Sequence, residues 1–159
     1  MTRVRLQDVL DGALALAQRQ LTERRITVQA KLPEDLPSVA GDRAQLQQVL
    51  LNLVTNAIDA VDGMEEQRRI LKIAGRAGKV GNDQAVLIIV QDLGCGFKSE
   101  DSELLFEPFY TTKTSRMGMG LRISRSIAET HGGRLWAQAN AAAGATFLLA
   151  LPAEISAAL

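Results

Sequence analysis

Asn52, Asn56 and Asp59 stand at i, i+4 and i+7 within an apolar segment. On a helix of 3.6 residues per turn they project from one face, beside the apolar stripe. A carboxamide oxygen is a hard donor, and Mg²⁺ takes one or two protein ligands beside phosphate oxygens. Asparagine is a mediocre helix former, so two of them in mid-helix need a reason. A polar solvent face is the other reading of the same row. Asp92-Leu93-Gly94-Cys95-Gly96 directly follows the apolar run Val86 to Val90. Gly94 and Gly96 permit a tight turn and a close approach to a ligand. Asp92, ending a buried strand, would be an acceptor at the floor of a pocket. It matches an exocyclic amino group such as adenine's and opposes the carbonyl that guanine carries there. The same five residues also suit a plain strand-ending turn.

Gly118-Met119-Gly120-Leu121 opens a helical stretch, where unpaired N–H groups and a partial positive charge suit a phosphate. Lys113, Arg116 and Arg122 lie close by in sequence. The alternative is simple flexibility at a helix start. No G-x-x-x-x-G-K-[ST] and no G-x-G-x-x-G is present, which excludes a P-loop and a dinucleotide fingerprint. Between the two glycine motifs runs Phe106-Glu107-Pro108-Phe109-Tyr110-Thr111-Thr112-Lys113. It reads either as the pinned base of a mobile loop or as a small hydrophobic cluster.

The elements that must hold these residues are visible as periodicities. Leu6, Val9, Leu10, Ala13, Leu14, Ala17 and Leu21 predict a first amphipathic helix. Ile26 to Leu32 alternates as a strand and is ended by Pro33 and Pro37. Asp42 with Gln45 forms a capping-box pattern for a second helix, whose apolar face runs from Leu46 to Val61. Strands are expected at Ile70 to Ala74 and Val86 to Val90, separated by a turn containing Gly78, Gly81, Asn82 and Asp83. Ser99 to Lys113 is expected to be irregular apart from a short helical turn. A third helix is expected from about Gly120 to Thr130, stopping at Gly132-Gly133. Arg134 to Ala139 and Ala145 to Leu151 read as a final pair of strands. The fold class is therefore α/β, a two-layer sandwich of a mixed sheet of about five strands packed by three helices, with residues 1–159 forming one domain.

Composition bounds the function. The 159 residues carry 18 Lys+Arg against 18 Asp+Glu, so the formal net charge is zero. A nucleic-acid or membrane surface usually demands a basic excess, and neither contact is expected. No apolar stretch approaches the roughly 20 residues of a membrane helix, and the opening residues do not read as a signal peptide. One cysteine, Cys95, allows no intramolecular disulfide and suits a reducing cytosol. One histidine, His131, argues against a protein zinc site.

Taken in order, N-x-x-x-N-A, D-x-G-x-G, F-x-P-F and G-x-G-L resemble the ATP-binding domain of sensor histidine kinases. That domain shares the Bergerat fold with the ATPases of gyrase, MutL and the heat-shock chaperone. The resemblance runs from Gly41-Asp42 to Phe147, and Gly144-Ala145-Thr146-Phe147 looks like the family's terminal G-x-T-F. It implies that the chain binds Mg·ATP, with Asn56 as Mg²⁺ ligand and Asn52 as phosphate-side partner. Asp92 would take the adenine amino group, with Gly94 and Gly96 of its turn also against the nucleotide, while Thr146 would help hold the adenine end. Gly118, Met119, Gly120 and Leu121 would face the phosphates, with Asp59, Phe109 and Thr112 also lining the nucleotide. Lys113 would reach the outer phosphates, and Asn52, Asn56 and Lys113 would form the catalytic set.

The resemblance further implies partners. A histidine on a dimerisation hairpin would accept the γ-phosphoryl, and a response regulator would take it onward. The full kinase would be a homodimer and the isolated domain a monomer, cytoplasmic even if the parent kinase is membrane-anchored. This chain carries no such hairpin, and His131, followed by Gly132-Gly133, matches the family's structural H-G-G. The clamp ATPases of gyrase and MutL place a glutamate one turn before the metal-binding asparagine. Here that position is Asn52, so general-base help, typically worth about 10²–10⁴-fold, is missing. A non-catalytic nucleotide-binding module and a serine kinase of the anti-sigma-factor type are further alternatives. Departures from the pattern fall at Arg122, Cys95 and Phe97.

Overall fold

The computed structural model describes residues 2–107 and 117–154, with backbone alone at residues 117–119. Helix α1 (Leu6–Glu23) buries Leu6, Val9, Leu10, Ala13, Ala17 and Leu21, the stripe that the spacing requires. It stops in a Schellman turn: Ile26 N donates to Leu21 O at 2.9 Å and Arg25 N to Thr22 O at 3.2 Å. Arg25 sits there at φ 55°, a position that favours glycine.

Helix α2 (Arg43–Val61) is the central element, packed between α1 and α3 (Met117–Thr130) and against the sheet. Asp42 caps it, its Oδ1 accepting from Gln45 N at 3.1 Å. The expected box is only half formed. The Asp42 N–H donates to His131 Nε2 at 3.0 Å rather than to the Gln45 side chain. A tertiary partner has replaced the local one.

The strands are β1 (Thr2–Val4), β2 (Thr27–Lys31), β3 (Val39–Gly41), β4 (Ile70–Val80), β5 (Asp83–Asp92), β6 (Arg134–Ala139) and β7 (Ala145–Pro152). Five of them form a mixed sheet in the order β2-β4-β5-β7-β6, with β2 parallel to β4 and the other pairs antiparallel. The sheet class and the helix layer agree with the expected α/β sandwich. β4 and β5 extend further than their apolar runs, because a two-residue turn at Gly81-Asn82 lets Val80 pair with Asp83. Gly81 takes φ 61°, as the first central position of a type II′ turn requires. β1 and β3, three residues each, pair as a separate antiparallel ribbon that the periodicities do not reveal. α3 begins three residues before the expected Gly120.

One core joins the helices to the inner sheet face, with Val49, Leu53, Val54, Ile58, Val61, Leu71, Val86, Ile88 and Leu149 fully buried. Leu87, Leu148 and Ala150 form a second cluster on the far face, with Ile89 and Trp136 against it. The stretch expected to be irregular contains two 3-10 turns, Ser99–Asp101 and Leu104–Phe106, before the described residues pause at Glu107. No helix among the described residues is long and apolar enough to cross a membrane.

Candidate nucleotide site

α2 delivers Asn52, Asn56 and Asp59 to one cleft, as the i, i+4, i+7 spacing requires. Gln20 of α1, Thr55, and Gly120 and Leu121 of α3 complete the lining, around about 480 Å³ of space open to solvent. Asn56 is only 7% exposed, and its carboxamide makes no hydrogen bond to another described residue. A near-buried amide oxygen without an internal partner fits a hard cation, or water in its place. Asp59 accepts from Arg24 Nη1 at 3.3 Å, and the same guanidinium reaches Asp62 at 3.6 Å, so its carboxylate faces the cleft already paired.

Asn52 is committed. Its Nδ2 donates to Gly120 O at 3.1 Å and to Ser124 Oγ at 2.9 Å, while its Oδ1 accepts from Gln48 Nε2 at 2.8 Å. Ser124 is fully buried. The carboxamide therefore straps the first turn of α3 to α2. Gly118, Met119 and Gly120 lie in that first turn, where backbone N–H groups lack intrahelical partners. The cleft thus faces a ready anion site at a helix N-terminus.

The turn after β5, where the sequence places the base end, is not part of that lining and packs instead on the last turn of α2. Asp92 is 1% exposed, and burial pushes its carboxyl up to about 6 despite the opposing Gly94 and Ala145 amides. Its Oδ1 accepts from Gly94 N at 2.8 Å. A Cβ on Gly94 would stand 2.3 Å from Ala60 O of α2, so glycine is required for the turn to approach the helix. Gly96 takes φ 66°. Cys95 is exposed, with its N–H donated to Ala60 O at 3.2 Å.

Thr146 does not share Asp92's side of the sheet. Phe147 and Leu149 enter the main core, whereas Leu148 and Ala150 belong to the far-face cluster, and Thr146 alternates with the latter. Its hydroxyl donates to Asn140 Oδ1 at 2.6 Å. Phe106 is held by edge contact with Phe147 and by Arg125, whose guanidinium lies 3.7 Å from the ring centroid. Arg125 also donates to both carboxylate oxygens of Glu103 at 2.9 and 3.0 Å, which holds that carboxyl below its usual range. Phe109, Thr112 and Lys113 lie outside the described residues, as does Arg116.

His131 is spoken for on both nitrogens. Because the Asp42 N–H must donate, Nε2 is the acceptor, and Nδ1 carries the proton given to Ile127 O at 2.8 Å. Gln20, Arg24, Arg68, Ser124, Arg125 and Asn140 were not singled out from sequence. Gln20 lines the cleft, and the others work through a backbone carbonyl or another side chain, so a polar residue near a motif is their only signal.

The cleft brings together a carboxamide unpartnered among the described residues and the N-terminus of a helix, a chemistry that suits a cation beside phosphates. Residues 41–155 match the family described as histidine kinase-, DNA gyrase B- and HSP90-like ATPases. The chain belongs to that family. Its sequence is 43% identical to the sensor protein FixL of Bradyrhizobium diazoefficiens over 89% of this chain and 27% of that protein. It is 31% identical to the sensor histidine kinase ZraS of Escherichia coli over 96% of this chain and 31% of that one. The chain thus spans about a quarter to a third of these relatives. The catalytic domain of histidine kinase ThkA superposes with a TM-score of 0.77 at 32% identity, covering 96% of this chain and 95% of that one. This ATPase domain is therefore homologous to the catalytic domains of sensor histidine kinases.

Proposed function

We propose that this chain binds Mg·ATP and donates the γ-phosphoryl group to a histidine on a dimerisation hairpin, as part of a longer kinase in a two-component system. Asn56 would supply the protein ligand to Mg²⁺, which when bound neutralises phosphate charge. The first turn of α3 would present the amides of Gly118 and Gly120 to the phosphates, and Asp92 would accept from the adenine amino group. Lys113 would reach the outer phosphates. In the transfer, a ring nitrogen of the hairpin histidine forms the new N–P bond as the bond to the ADP oxygen breaks. The chain contributes position and charge rather than a base. A response regulator would receive the phosphoryl group next. The setting would be cytoplasmic, with the full kinase a homodimer and this domain by itself a monomer.

The observation that carries this reading is the Asn52–Asn56 pair. Asn56 offers a carboxamide to the cleft, while Asn52, one turn earlier, has both amide hydrogens committed to α3. It has no capacity to take a proton from water, which favours transfer over hydrolysis. Asn56→Ala should weaken ATP binding at least about tenfold with Mg²⁺, and scarcely in EDTA, by titration calorimetry. Equal losses in both conditions would remove the metal role from Asn56.

A further inference from the structure

The turn that carries Asp92 is gripped from outside. Three successive backbone carbonyls accept hydrogen bonds from two side chains: Asp92 O from Asn140 Nδ2 at 3.0 Å, Leu93 O from Arg68 Nε and Gly94 O from Arg68 Nη2, both at 2.9 Å. Arg68 closes the 3-10 turn Glu66–Arg68 after α2, and Asn140 starts the turn between β6 and β7.

The orientation of Asn140 is determined by its neighbours. Its Nδ2 serves Asp92 O and Ala143 O, so its Oδ1 faces Thr146, which donates at 2.6 Å. Gly144 tightens the same contact, since a Cβ there would meet Asp92 O at 2.0 Å. Arg68 supplies two parallel N–H donors from one rigid plane, which lysine does not match. The peptide planes of residues 92–94 are thereby set, and with them the Gly94 N–H that fixes the Asp92 carboxylate at 2.8 Å.

From this we infer that Arg68 and Asn140 are positioning residues for base selection, holding the Asp92 carboxylate where it accepts from a 6-amino purine and rejects a 6-oxo purine. The inference rests on the nucleotide reading given above and extends it to residues outside the pocket. A buried acceptor discriminates by geometry: a small displacement loses the hydrogen bond to the amino group without relieving the clash of like dipoles with a carbonyl. The phosphate end hangs on α2 and α3 through other residues, so the effect is confined to the base.

The test compares ATP with inosine triphosphate, which differ in the 6-amino and 6-oxo groups, in the intact chain and in Arg68→Lys and Asn140→Ala. Thermal unfolding of each variant is recorded alongside. Arg68→Lys keeps the charge and removes the fork, and Asn140→Ala releases the turn from the opposite side. Each should weaken ATP about tenfold and leave inosine triphosphate within about twofold, collapsing the preference. An unchanged preference in both variants, or equal weakening of both nucleotides, would overturn the positioning role while leaving the nucleotide reading intact. A parent chain that binds the two nucleotides alike would overturn that reading and this inference together.

Discussion

Asp92 is the residue on which the proposed base end of the site depends, and its burial makes it a reporter. Its carboxyl titrates near pH 6 when folded, against 3.8 for an unperturbed aspartate. Between those values the folded chain holds more protons than the unfolded one. Stability should therefore fall as pH rises from 4 to 6, by at most about 3 kcal/mol from this group. Asp92→Asn, whose amide oxygen keeps the Gly94 bond, should flatten that slope in urea melts. Parallel slopes for parent and variant would locate the titration elsewhere. Because the ionised form is the better acceptor, ADP affinity should also drop as pH falls below about 6. Cys95, exposed beside this turn, should be alkylated more slowly when ATP is bound, and identical rates would place the nucleotide away from it. Asp92, Asn52 and Asn56 were legible in the sequence because their chemistry sits in their own side chains at fixed spacings. Arg68, Asn140 and Ser124 were not, since what they hold are carbonyls and amides contributed by distant parts of the chain.

Long elements announced themselves and short ones did not. The 18 residues of α1 and 19 of α2 repeat their apolar stripe over several turns, so a helical period is unmistakable. The three-residue strands β1 and β3 are too short to show a period of two, and their pairing joins residues some forty positions apart. The half-formed capping box at Asp42 shows the same limit, because His131 reaches in from the end of α3 to take the Asp42 N–H. Thr146 was expected at the adenine, yet strand alternation turns it to the far sheet face, where it acts through Asn140. The end of α1 offers a direct test of local reading. Arg25 occupies the left-handed position of a Schellman turn, so Arg25→Gly should stabilise the chain by about 1 kcal/mol in urea denaturation. A loss of stability would mean that the Arg25 side chain contributes more than its backbone strain costs.

At the scale of the whole molecule, α2 joins both ends of the proposed site. Its first half faces the first turn of α3 through Asn52, and its last turns carry Asn56 and the Ala60 carbonyl against which the Asp92 turn closes. The order of motifs along the chain is enough to indicate this family, and two of them, N-x-x-x-N-A on α2 and G-x-G-L at the start of α3, line the cleft. The chain's only histidine is locked between Asp42 and Ile127, so the proposed transfer takes its acceptor from another polypeptide segment. The most direct measurement is incubation of the chain with γ-labelled ATP and Mg²⁺, alone and with the histidine-bearing hairpin of its parent kinase. The chain should remain unlabelled, free phosphate should appear slowly, and an acid-labile label should accumulate on the hairpin histidine. Label on the chain itself that His131→Gln abolishes, or phosphate release that outruns hairpin labelling, would contradict the proposed transfer.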